Sequence, residues 1–442
     1  MITLQAPSTL RVDLKEDPNM FHVAKISNES SQTADRVLEA NHENNHIFFS
    51  YLEKDGVHMH NHIVHHALTL LALGADAAQV QHLYETNLHY QRTAVPVQPD
   101  VVKNLSDQAV YKKSLGNENN YASFVAFFEE EIRAKGVPVV INEYVFAEDF
   151  RADDMLARLF MGCGIEFNQP AIVAEALAQA AVHDDDYLFT FYHIAHARAG
   201  HSGRKRCLAE LVDLASANEQ CQTACHSAIF EKIRDGVLKN AMDETVELAS
   251  QYQVGEDEIE LRIAELCNAT AYIVAGAQRA SKLPRMDFFL MHPMNMTIFL
   301  GAITKQPWLS NASKARLLTY AGRISLVMHI AMGAPKLDLD VVRQYKPSEA
   351  AGTWDDAIRR AIKHPDDGHC AKMIRAVLFA EKVSQPYQDR PEFRLKGKDF
   401  EKLAAAIVDN LNPAGGKAGP YEDESWIRGA GFDDVWEGVP SA

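Results

Sequence analysis

Five histidines, His58, His60, His62, His65 and His66, fall within nine residues of the run HMHNHIVHHALTLLALGA. Imidazole is the commonest protein ligand for divalent iron, zinc and copper. The run continues as a helix, with apolar Ala67, Leu68, Leu70, Leu71 and Leu73 and a stop at Gly74. On that helix His62 and His66 are four apart and share a face; His58 joins them if the helix starts so soon. Histidines on an otherwise buried helix need hydrogen-bond partners or a metal.

Three more segments set a ligand-type residue in an apolar helix: His292 in MDFFLMHPMNMTIFL, His329 in LLTYAGRISLVMHIAMG, and His369 with Lys372 in HPDDGHCAKMIRAVLF. His369 and Lys372, three apart, share a helix face, and Asp366 and Asp367 stand where they would cap that helix. A lone histidine of this kind is ordinarily a core residue donating to a backbone carbonyl. Several together, with His62 on a fourth helix, form the pattern of a metal site built between facing helices. A protonated Lys372 would repel a divalent cation; a neutral or carboxylated one can coordinate it.

Other motifs fail on inspection. His42-Glu-Asn-Asn-His46 matches the zinc-protease string, but Asn41, Asn44 and Asn45 are weak helix formers, and the chemistry needs a firm helix. It reads as a surface helix end or as supporting histidines. Cys221 and Cys225 have three residues between them, not the two of a haem attachment site. Gly162 and Gly164 lack the third glycine of a dinucleotide fingerprint. No Walker A segment is present, so a bound FAD or NADPH would need a site without a recognisable motif.

The elements that must position these residues are helical almost throughout. Amphipathic stretches run through residues 119–136, 169–183, 226–253, 256–282, 313–333 and 366–383. The best strand candidate is VPVVINEYVF (137–146), short and carrying Pro138, hence peripheral. The expected fold is all-α, a large single-domain helical bundle over residues 1–411. A helix-poor tail, 412–442, carries Trp426, Phe432 and Trp436 and is expected to be ordered against the body.

A chain of 442 residues, 47% hydrophobic, suits a globular enzyme. Its net charge of −16, with both signs interspersed, argues against nucleic-acid binding. No signal peptide and no run of membrane-spanning length is read. The six cysteines are expected to be free thiols in a reducing compartment, so the expected location is cytoplasmic.

At these histidines the sequence resembles the questin oxidase family of fungal secondary metabolism, related to Baeyer–Villiger-type oxidases. The resemblance covers nearly the whole chain. It is carried by HIFFSYLEKDGVHMHNHIVHHALTLLALGA, GIEFNQPAIVAEALAQAAVH, MDFFLMHPMN, DDGHCAKMIRAVLFAEK and WIRGAGFDDVWEGVP. It implies oxidative opening of a polycyclic aromatic ketone, such as an anthraquinone, to a benzophenone-type product. Some members look like flavin-free nonheme iron oxygenases. Carried over, the Fe(II) ligands are His62, His292, His369 and a carboxylated Lys372. The partners are then an aromatic polyketide and dioxygen, with neither nucleic acid nor membrane. Candidates for the base that ionises a substrate phenol are His65, His66 and Tyr84. The older description of the family implies instead an NADPH-dependent Baeyer–Villiger oxidase. One departure from the family pattern favours a third reading, a catalytically inactive accessory or ligand-binding homologue. A His-Pro-x-Ile-His segment is missing around 157–164, with His183 the nearest substitute.

Overall fold

The computed structural model describes residues 13–14, 21–51, 58–147, 163–183, 186–347, 352–411 and 425–442. Regular structure among the described residues is helical. Extended pairing is limited to isolated bridges such as Phe48 with His60 and Asp287 with Ile427. The all-α expectation therefore holds. The helices gather into two compact units, one of Met1–Phe189 with Lys305–Leu309, the other of Thr190–Thr304 with Ser310–Ala442.

The first unit contains α1 (Asn28–Asn44), α2 (Ile63–Leu73), α3 (Ala77–Asn87), α4 (Tyr121–Lys135), α5 (Val137–Tyr144) and α6 (Pro170–Val182). Ser27 caps α1 through the Ser30 amide, and Asp76 with Gln79 forms a capping box on α3. Gly74 ends α2 at φ 90°, and a Cβ there would stand 2.6 Å from Ala24 Cβ, so only glycine serves. Helix α4, in which Phe124 and Phe128 are buried, packs on α6.

The strand expected over 137–146 is instead helix α5. Gly136, at φ 82°, stops α4, and Pro138 then sits in the first turn, where a missing N–H costs nothing. Buried Val140, Ile141 and Tyr144 follow a helical spacing, and the Tyr144 ring meets Phe128 edge-on at 5.2 Å. Packing thus outweighs the β-propensity of Val and Ile.

The second unit contains α7 (Leu208–Ser216), α8 (Ile259–Gly276), α9 (Met291–Thr304), α10 (Asn311–Ala331), α11 (His369–Ser384) and α12 (Lys398–Asp409). Helix α8 is buried from Ile263 to Gly276 and packs against α9, α10 and α11. Gly301 of α9 admits the Phe379 ring of α11, since a Cβ would lie 2.5 Å from Phe379 Cζ. That close approach brings together the two helices that carry His292 and His369. The long helix expected over 226–253 is broken. A π-helical turn, Lys232–Val237, and a short helix precede Met242–Ala249. The Cys225 thiol fills the place of a side chain at Gly236, 2.1 Å from where a Cβ would be.

Residues 412–424 of the expected tail lie outside the described residues. Over 425–442 the chain has Trp426 and Trp436 buried in the second unit, and Trp436 Nε1 donates to Ala430 O at 3.0 Å. Lys282 Nζ donates to Val439 O at 2.8 Å.

Candidate metal centre

Helix α9 opens just after Asp287, whose Oδ1 accepts from the Phe289 and Leu290 amides at 2.8 and 3.1 Å. One residue into the helix, His292 donates from Nδ1 to Phe288 O at 2.7 Å. Helix α11 opens at His369, after Gly368 in the left-handed region at φ 92°. Of the two aspartates expected to cap it, Asp366 does so, accepting from the Gly368 and Cys370 amides at 2.7 and 2.8 Å. Asp367 turns instead to His369, whose Nδ1 is hydrogen-bonded to its carboxylate. The His292 and His369 rings lie 5.3 Å apart, with the Phe288 ring 5.0 Å from the first and 4.8 Å from the second. Lys372 follows one turn later and is buried.

Burial pushes the His369 pKa down to about 3, against the upward pull of Asp367; Lys372 and His292 lower it further. The ring is therefore a neutral imidazole, the form that binds metals. In both histidines Nδ1 is engaged by an oxygen acceptor, so Nε2 is the nitrogen suited to ligation. That outer hydrogen bond is the support metal-bound histidines commonly have. Two imidazoles with an anionic oxygen donor suit iron(II). Lys372 meets that requirement only if carboxylated; as an ammonium it opposes a cation. The donor set fits the ion on those terms.

His62 belongs to the first unit. It is the N-cap of α2, at φ −96° and ψ 0°, and is half-buried, with the His65 ring 6.1 Å away. The helix starts too late to place His58 on a shared face with His62 and His66. His58 instead stacks on Phe48 at 4.2 Å and pairs through Nε2 with Glu118 at 3.3 Å. Both His58 and His60 lie 5.3 Å from the His183 ring. Density of histidines in sequence marked this region, but the grouping with His183 and Phe48 was not legible there. Of the expected gap at 157–164, residues 157–162 lie outside the described residues.

Of the base candidates, His66 and Tyr84 line one hollow between α2 and α3, with Ile63, Leu70, Val80 and Leu83. Its volume is about 200 Å³ including the mouth, below the roughly 300–1,000 Å³ usual for organic-ligand pockets. A three-ring substrate does not fit inside it. Burial raises the Tyr84 pKa, which suits a proton donor more than an acceptor. His65 is half-buried beside His62.

Histidines 42 and 46 are committed elsewhere. His42 Nδ1 lies 2.5 Å from Glu175 and its Nε2 3.4 Å from Glu129. Those carboxylates lift its pKa to about 10 despite burial. His46 donates from Nε2 to Glu118 O at 3.0 Å and accepts the Phe48 amide at Nδ1. His329 is a core residue: its Nε2 lies 2.9 Å from Ser216 Oγ, and burial lowers its pKa to about 3.

Known proteins similar to the chain are oxidative enzymes. It is 35% identical to Baeyer-Villiger oxidase ptaJ of Pestalotiopsis fici, over 99% of this chain and 100% of that protein. It is 34% identical to questin oxidase of Aspergillus terreus, over 96% and 97%. Against oxidoreductase AflY of Aspergillus parasiticus it is 33% identical, over 96% and 86%. The class is therefore that of fungal oxidoreductases of secondary metabolism. Within it, residues 59–377 match the questin oxidase-like family, and the chain belongs to that family. No helix among the described residues is long and apolar enough to cross a membrane.

Proposed function

We propose that the chain is a nonheme iron(II)-dependent oxygenase that opens a ring of an anthraquinone-type polyketide. The observation that carries this reading is the engagement of Nδ1 by an oxygen acceptor on both of two adjacent imidazoles, His292 and His369, which makes Nε2 the ligating nitrogen of each. These two, with a carboxylated Lys372, are the proposed ligands within the second unit. Bound iron(II) supplies the activation of dioxygen that oxidation beside a quinone carbonyl requires. The chain's own residues do the rest. Asp367 and the Phe288 carbonyl hold the two rings in one tautomer. The half-buried Phe288 ring offers a flat apolar surface for an aromatic substrate. Cys207, Cys221, Cys225, Cys267 and Cys370 are buried and outside any disulfide, which suits the cytoplasm.

Baeyer–Villiger oxidation with NADPH is the second reading, favoured by the name of the relative in Pestalotiopsis fici. An inactive ligand-binding homologue is the third. One experiment separates the three: elemental analysis of the purified chain, then oxygen uptake with an anthraquinone, with and without NADPH. Iron-dependent uptake that ignores NADPH is expected. Uptake that needs NADPH and survives chelation would overturn the iron reading, and no turnover in any arm would leave the third.

A further inference from the structure

The closing segment, residues 425–442, lies beyond the family match at 59–377, and no step above uses it. Yet it clamps Phe288, whose ring lies against both His292 and His369. Asp287 and Ile427 form a parallel bridge, in which Phe288 N donates to Ile427 O at 2.8 Å and Ile427 N to Met286 O at 3.1 Å. The buried Asp287 carboxylate collects four backbone amides. Oδ1 takes Phe289 and Leu290; Oδ2 takes Gly429 and Ala430 at 2.7 and 2.8 Å. A buried carboxylate is tolerated when so satisfied. Between these anchors Arg428 sets its guanidinium 4.7 Å over the Phe288 ring, a cation–π distance. Phe288 is thus fixed at its backbone and at its ring. Its carbonyl fixes the tautomer of His292, and its ring abuts both imidazoles.

We infer that Arg428 is a positioning residue for the His292–His369 pair, acting through Phe288. The inference rests on the proposed ligand role of those histidines, but its first readout needs no metal. The full chain is labelled with ¹⁵N-histidine, and the His292 signals are assigned with His292→Gln. In the parent protein the shifts should report a proton held on Nδ1. Arg428→Gln should move them toward a mixture of tautomers while the melting temperature stays close to the parent's. Cobalt(II), followed by its visible absorption, should bind about tenfold more weakly, the scale of lost outer-shell support. Arg428→Lys, which keeps the cation, should restore both signals toward the parent. Phe288→Leu, which removes the ring and leaves Arg428, should reproduce the Arg428→Gln shifts. Unchanged His292 shifts in Arg428→Gln, or Arg428→Lys behaving like Arg428→Gln, would overturn the inference. A parent protein that takes up no cobalt would instead sink the metal reading, and the nitrogen shifts would still decide the role of Arg428.

Discussion

The carboxylate of Asp367 is hydrogen-bonded to Nδ1 of His369 two residues later, on the threshold of α11. The adjacent Asp366 caps the helix, so the two aspartates divide the work of starting the helix and orienting its first side chain. Asp367→Ala should leave the cap intact and the ring free to turn. Iron content after dialysis should fall, with affinity lost by about 10–100-fold. Equal metal retention by Asp367→Ala and the parent would show that Asp367 serves the fold alone.

Lys372 tests the charge argument. Carboxylation converts a buried cation into an oxygen donor, which Glu imitates and Arg does not. Lys372→Glu should keep part of the iron and Lys372→Arg none. Iron loading of the parent should rise with added bicarbonate, and native mass spectrometry should find the extra carbon dioxide. Arg as good as Lys would remove Lys372 from the ligand set.

A separate prediction concerns pH. His42 is held protonated between Glu175 and Glu129, with its pKa raised from 6.5 to about 10. A raised pKa stabilises the fold fully below the unfolded value, and that contribution is lost as pH climbs through the folded one. His42→Gln should cost about 3 kcal/mol near pH 6, as when one partner of a buried ion pair is removed. The gap between the two proteins in urea unfolding should narrow steadily toward pH 10. A gap that stayed constant with pH would mean that His42 acts by packing.

How far the sequence carried the site can be read from single residues. Helical periodicity placed His369 and Lys372 on one face, and the structure agrees because α11 begins at His369. Val137 and Val139 suggested a strand; the glycine stop and the proline start on either side of the boundary were the better signal. His329 looked like the other histidines in its local context. Its partner Ser216 stands 113 residues away, and no local pattern shows such a distance. Which of two neighbouring aspartates would cap a helix was also undecidable, since the choice depends on where the imidazole ring lies.

The close approach of α10 to the loop residue Tyr252 supplies a fourth test. A Cβ on Gly322, in α10, would lie 2.0 Å from the Tyr252 ring. Gly322→Ala should therefore destabilise by about 1–3 kcal/mol, the usual range for overpacking. Tyr252→Leu should absorb much of that cost, read as a coupling term in a double-mutant cycle of urea midpoints. Additive effects would disprove the steric account.

The tie between Asp287 and the closing segment also orders events in time. Gly429, which satisfies the carboxylate, is 142 residues further along the chain. At about 5–20 residues per second a ribosome needs roughly 7–28 s to cover that distance. For that interval the start of α9 exists without half of its amide partners and without Arg428 over Phe288. A nascent chain stopped before residue 425 should show a protease-sensitive segment around Asp287 that the finished protein lacks. His292 is thus held in its final register only after residues 428–430 have been made.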